Sequence, residues 1–472
     1  MHQCFDAPSR SFARAPSRAA IQPMINLIFL IYWLLIFEGV LRKWGVPEYK
    51  DVIFFIRVPF VLVVYALAFH LRRWPKATHI LQVSYVLAIF IAMLAVIQFF
   101  SGEYDYRYSL LIVQGWMNYF FYIPLAFIIA EQFGKEEINS LIRQTLWFAI
   151  AAAPLVIMQY NVPSTDMINQ GFGIDEEHQF QNLGSGLGLV RPFGFFTSTL
   201  GQQMFVASCM AILAATWLMP KNIRPVKSPL LVVSTLAILI LLILSQSRGL
   251  FFNAALVLLF AVMAIWIRGD LRTLLKIVLF LTLLIPVTLA LWMMVFPTAF
   301  EAFDLRVMGA AAEETQYFEF GVVGRAFYGF YSFLYYLQDT PVIGYLLGFG
   351  SNAARQLPWV VLPNAAYLMT GPDGWAEEGW DRHIVELGPL FGIIYILFRI
   401  GLTWWLLRLA LQAIRRANNF TPILFFSFVG ITLLNGQITG HGTVNGYTWL
   451  FVGFCAASAR DYSGRRIRHK TG

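Results

Sequence analysis

Charge is what this sequence has least of. Only 13% of its 472 residues are Asp, Glu, Lys or Arg, against 58% hydrophobic, a balance that excludes an ordinary soluble domain and suits a chain dissolved in a bilayer. Cysteine is scarcer still. Cys4 lies near the terminus, and Cys209 and Cys455 sit inside apolar runs, which excludes a disulfide framework or a CxxC metal site. HExxH, Asp-rich cation motifs and a GxGxxG strand–helix junction are all missing, so neither a metal, a nucleotide nor any other cofactor is expected. No repeat of 20–50 residues is evident. The basic N-terminus lacks a cleavable signal architecture, because the first apolar run contains Glu38 and ends in "LRKW". The net charge of +8 does not point to nucleic acid, since the basic residues alternate along the chain with apolar runs.

What is present is a succession of stretches near the ~20 residues a transmembrane helix needs. They fall at about 24–41, 52–70, 78–100, 109–130, 141–160, 201–219, 229–246, 250–267, 274–296, 388–410, 420–436 and 444–459. The expectation is an all-α polytopic membrane protein, a single transmembrane domain of about 12 helices with both termini on one side. Residues 1–23 and 460–472 are then tails on that side. On it fall 22 of the 34 Lys/Arg, and 10 on the other, with Arg57 and Arg399 inside spans. By the positive-inside rule the termini are cytoplasmic. Acidic residues run the other way, 19 of 26 lying on the outer side.

Two outer segments carry most of the polar chemistry. The loop 161–200 includes "GSGLGLVRPFGFFTSTLGQ", in which Arg191 precedes Pro192 and Gly194 as a rigid turn at the membrane edge. The segment 297–387, between spans 9 and 10, is aromatic-rich and too long for a plain connection, so it reads as a folded cap over the bundle. Within it, 324–338 suggests a helix lying at the interface.

The outer side thus offers Arg191, Arg248, Arg325 and Arg382, with Glu377, Glu378, His383 and Glu386. Arginine forks bind phosphate by charge-assisted, often bidentate hydrogen bonds. A carboxylate or imidazole can take a proton from an attacking hydroxyl. Together they suit transfer of a group away from a lipid-linked diphosphate, with arginine supplying the charge stabilisation. Each residue also has a plainer reading. Arg248 at a helix start can snorkel, Arg325 can pair with the acidic run 311–320, His383 can be a packing residue, and Glu386 can serve a helix dipole. Glu38 and Arg57 suit an ion pair near the outer ends of the first two spans, where ionisable groups are functional candidates by default.

Several motifs carry a family resemblance. "RPFGFFTS" (191–198), "SQSRGLFF" (245–252), "TPVIGYLLGFGSN" (340–352) and "ELGPLFG" (386–392), in this order along the chain, resemble elements of the O-antigen polymerase and O-antigen ligase superfamily of bacterial envelope proteins. The resemblance implies a GT-C-like helical fold, periplasmic loops at 161–200 and 297–387, and a site facing the periplasm of the inner membrane. It implies inverting, metal-independent glycosyl transfer from a glycan on undecaprenyl diphosphate. Arg248 and Arg325 would hold the diphosphate, and Arg191 would line the cavity. Ligases of the family carry a histidine further upstream of the E-x-G element. Here "WAEEGWDRHIVELG" has Glu378 eight residues before Glu386 and His383 three before it, so the base would be either Glu378, in the histidine's place, or His383, and Arg382 would add an anion contact. Polymerisation of O-antigen or exopolysaccharide repeat units fits better than ligation, with a chain-length regulator as a partner. A transporter or flippase of lipid-linked sugars is the competing class, and the lack of evident inverted repeats counts against it.

Overall fold

The computed structural model describes residues 18–76, 78–100, 109–171, 190–318, 320–338, 348 and 379–460. Among them the chain is all-helical, with no strand. In order the helices are α1 (Arg18–Val40), α2 (Lys50–Phe54), α3 (Arg57–His70), α4 (His79–Phe100), α5 (Ser109–Phe120), α6 (Ile123–Gln132) and α7 (Lys135–Asn161). There follow α8 (Thr199–Leu218), α9 (Ser228–Leu244), α10 (Arg248–Arg268), α11 (Leu271–Val295), α12 (Pro297–Tyr317), α13 (Gly321–Tyr328) and α14 (Phe333–Gln338). The last three are α15 (Gly379–Ala417), α16 (Thr421–Asn435) and α17 (Gly442–Arg460).

Every one of the twelve apolar stretches is helical. Among the described residues eight helices are long and apolar enough to cross a membrane, or nine if the bent pair Thr288–Val295 and Pro297–Gln316 counts as one span. The difference from twelve has physical reasons. At 17 and 15 residues, α9 and α16 reach only ~25 and ~22 Å at 1.5 Å per residue. Almost every residue of α17 from Val444 to Ser458 is buried. A helix walled in by protein has no need of an apolar surface, so it can carry Asn445, Thr448 and Ser458. On α4, by contrast, Val83, Val86, Ile89, Phe90, Met93 and Phe100 are exposed, an apolar surface that calls for lipid.

The two sets of loops that the charge count separates lie at opposite ends of the bundle. At one end Arg18 pairs with Glu136 and Glu137, Arg460 reaches Glu131, and Asn419 donates to the Ser458 carbonyl. At the other, Lys43 donates to the Gly194 carbonyl, Arg57 to the Gly442 carbonyl and Ser332 to Asp381.

The cap differs from its sequence reading in two ways. Residues 297–317 form the 21-residue α12, a stretch of the cap for which the sequence suggests no helix. The expected helix over 324–338 is broken between α13 and α14, because Asn435 holds the Gly329 carbonyl at 2.6 Å and Ser332 Oγ donates to Asp381 at 2.6 Å. Of the "TPVIGYLLGFGSN" stretch only Gly348 is described. It has φ +72 and packs directly on the backbone of Glu386 and Gly388, and Gly388 itself, at φ 74, kinks α15. Two motif glycines far apart in sequence therefore touch.

The Glu38–Arg57 ion pair forms as expected, at 2.8 Å and almost fully enclosed; Arg42 lies 3.6 Å from the other carboxylate oxygen. Removing one member of a buried pair leaves an uncompensated charge at a cost of about 3–5 kcal/mol, whereas removing both is far milder. Glu38→Gln should therefore lower the thermal unfolding midpoint in detergent sharply, and adding Arg57→Met should recover much of the loss. Equal midpoints for wild type and Glu38→Gln would show that the pair stabilises nothing.

Candidate functional site

The turn between α9 and α10 is the hub of one end of the bundle. Gln246 takes a left-handed conformation, φ +49, which is unusual for a side-chain-bearing residue. Ser247 then caps α10, its Oγ accepting from Leu250 N, a satisfied helix start. Bent in this way, the turn presents consecutive carbonyls outward. Arg191 Nε donates to Ser245 O at 3.2 Å, and Arg306 Nη1 donates to Gln246 O at 3.2 Å. Arg248, two residues on, pairs with Glu314 at 2.9 Å. Arg325 Nε lies 3.8 Å from the same Glu314 oxygen, with its guanidinium over the Phe318 ring.

Four arginines from four segments thus meet at this turn, Arg191 and Arg306 on its carbonyls and Arg248 and Arg325 on Glu314. Burial first, and then the Arg306 charge, push the Arg191 guanidinium down to about 10, still well above neutral pH, so it remains a cation. Among the described residues, Glu314 Oε2 and both polar atoms of the Gln246 and Gln202 side chains are buried without a hydrogen-bond partner. Several guanidinium groups beside a single carboxylate with an unpartnered oxygen are an arrangement that favours a polar anion.

Arg191 is positioned by the loop that follows it. Gly194 adopts φ +58 and lies so close to Gln202 that a Cβ would collide with that side chain. Gln159 Oε1 accepts from Gly194 N at 2.8 Å. The Gly194 carbonyl accepts from Lys43 Nζ at 3.0 Å, and that ammonium sits 4.1 Å from the Trp44 and Phe193 ring centres, a cation–π cage.

A second polar group lies at the start of α15. Arg399 Nη1 and His383 Nε2 are 2.7 Å apart, and Arg399 also donates to the carbonyls of Thr432, Leu433 and Gly436. Arginine only donates, so Nε2 accepts and the imidazole proton sits on Nδ1. That proton points to Tyr119 Oη at 3.0 Å, and Tyr119 donates in turn to Glu386 Oε2 at 2.8 Å. Arg382 Nε completes the chain on Glu386 Oε1 at 2.9 Å. His383 and Glu386 are wholly buried. Their geometry fits the packing and hydrogen-bonding reading of His383, with both ring nitrogens engaged, rather than that of a base open to substrate.

The structure therefore joins Arg191, Arg248 and Arg325 in one cluster and ties Arg382, His383 and Glu386 into another. The segment 321–338 bridges the two, carrying Arg325 at one end and the Ser332–Asp381 contact at the other. Glu377 and Glu378 lie outside the described residues. Arg306, Arg399, Tyr119 and Gln246 were not singled out from sequence. Arg399 did carry a signal, as a charge inside an apolar span; Arg306 had none. Arg248 pairs with Glu314, and Arg325 meets the acidic run as its plainer reading had it. No group of three or more His, Cys, Asp or Glu that could hold a metal ion occurs among the described residues. Comparison of the chain with models of known families, with curated proteins and with solved structures finds no match.

Tyr119→Phe should strip the acceptor from His383 and the donor from Glu386. Unpairing buried groups of this kind costs about 1–3 kcal/mol each, so the thermal midpoint should fall by several degrees while the expression level in membranes is retained. An unchanged midpoint would mean that the His383–Tyr119–Glu386 chain is not formed.

Proposed function

We propose that the chain is a multi-pass enzyme of the bacterial inner membrane that transfers glycan from undecaprenyl diphosphate at its outer face, polymerising O-antigen or exopolysaccharide repeat units. The observation that carries the reading is the convergence of Arg191, Arg248, Arg306 and Arg325 around Glu314 and the 245–248 turn. A diphosphate is the anion such a set of guanidinium forks suits best, being polyvalent and open to bidentate contacts.

In this reading the acceptor hydroxyl oxygen attacks the anomeric carbon of the donor in a single displacement. The carbon–oxygen bond to the diphosphate breaks, the electron pair leaves with the diphosphate, and the arginines stabilise the developing charge without reorganising. Glu378 takes the hydroxyl proton, and His383 acts through Tyr119 and Glu386 on the shape of the site. The fold is a GT-C-like bundle of about twelve spans with cytoplasmic termini, which the surplus of Lys/Arg at the Arg18 end supports. A chain-length regulator is the partner such a reaction calls for.

Arg306→Ala and Arg248→Ala, made separately in cells that produce the polymer, are the tests. Loss of one charge-assisted contact of about 1.5–3 kcal/mol should slow transfer roughly 10–100-fold, so that single repeat units cap the acceptor or accumulate on lipid at the outer leaflet. Normal chain lengths in both variants would overturn the reading. Repeat units trapped on the inner leaflet would assign a flippase, and full-length polymer held on its lipid would assign ligation. Glu378→Gln should give the same short-chain phenotype if Glu378 is the base.

A further inference from the structure

The end of the bundle opposite Arg248 carries a feature that glycan transfer does not use. α10 runs 21 residues from Arg248 to Arg268, ~31 Å at 1.5 Å per residue, which is close to the hydrocarbon thickness of a bilayer. Where it ends beside the end of α15, a cavity of about 650 Å³ opens, lined by Ile267, Arg268, Ile414, Arg415, Arg416 and Ala417 with Asn418. Among the described residues that line it, the charged ones are three arginines from two helices, and none is a carboxylate. Among the described residues none of the three makes an ion pair; Arg268 has only the Phe420 ring, at 5.8 Å.

Arginines at helix C-termini often do no more than offset the helix dipole. Here the helix ends are closed by their own backbone. Gly269 at φ +76 donates to Trp266 O at 2.9 Å. Asn418 at φ +56 donates to Ile414 O at 3.0 Å, and Asn419 N to Ala413 O at 3.3 Å. The three arginines are therefore not needed to close these helix ends, and all three line the cavity. Its floor is apolar, from Ile267, Ile414 and Ala417. The chain's own tail is a poor occupant, because "DYSGRRIRHKTG" carries four Arg/Lys after Arg460 against one Asp.

We propose that this cavity is a phosphate-binding site at the membrane edge, in which Arg268, Arg415 and Arg416 hold the phosphate group of an anionic ligand. Guanidinium forks supply the bidentate contacts. The apolar floor and the position at the end of a membrane-length helix match the headgroup and glycerol region of an anionic phospholipid, and basic pockets between transmembrane helices take such headgroups. Free phosphate shares the chemistry.

The test uses the full chain purified in a non-ionic detergent. Dihexanoyl phosphatidylglycerol, inorganic phosphate and dihexanoyl phosphatidylcholine are titrated separately, with thermal midpoint and native mass spectrometry as readouts. Phosphatidylglycerol should give a saturable rise in midpoint and a one-to-one adduct. The triple variant R268Q/R415Q/R416Q should lose at least tenfold in affinity, and the single variant R416E should lose affinity as well, keeping the test open if the triple variant is poorly folded. Saturable binding of inorganic phosphate that the same variants abolish supports the site and assigns free phosphate as its source. No saturable binding of either anion by wild type, equal binding by wild type and variants, or equal binding of phosphatidylcholine would overturn the proposal. None of these outcomes touches the Arg248 cluster, so the glycan-transfer reading stands or falls separately.

Discussion

Arginine keeps its proton under every ordinary condition, so each one drawn into an apolar bundle has to be met by carboxylates or carbonyls. Much of this structure is organised by that demand. Arg57 is met by Glu38, Arg382 by Glu386, and Arg399 by three carbonyls and an imidazole. Glycines make the room. Gly440 lies so close to the Arg382 guanidinium that a Cβ would overlap it, and Gly446 gives the same clearance to Arg57. The polar, glycine-rich stretch 435–446 is thus the place where two buried arginines reach neighbouring backbone.

The same demand is concentrated at the 245–248 turn. Two guanidinium groups share Glu314, and two more are anchored on the neutral carbonyls of Ser245 and Gln246. Among the described residues, four guanidinium groups and one carboxylate gather within this small region, a local surplus of positive charge. Such a surplus is costly in a bare protein and is offset once an anion enters.

The helices were legible because apolar runs of membrane length have few other fates, and the sidedness because basic residues alternate with those runs. The Glu38–Arg57 pair could be anticipated, since two opposite charges in apolar segments need one another. The rest depended on contacts that sequence does not encode locally. Arg306 and Glu314 lie on α12, whose mixed composition gives no strong helical stripe. The left-handed Gln246 follows from the two helices that flank it, not from its own preference. His383 and Tyr119 are separated by 264 residues, and only the fold shows that an apparent base is locked by arginine on one nitrogen and by a phenol on the other. The break in 324–338 likewise comes from Asn435 and Asp381 on distant helices.

One further consequence lies in α10. It begins with Arg248 and ends with Arg268, without an internal proline or a recorded break. At 1.5 Å per residue its two terminal arginines stand ~30 Å apart. The helix is thus a ruler: its length sets one guanidinium group at each edge of the hydrocarbon layer, so deleting a turn would draw one of the two arginines into lipid.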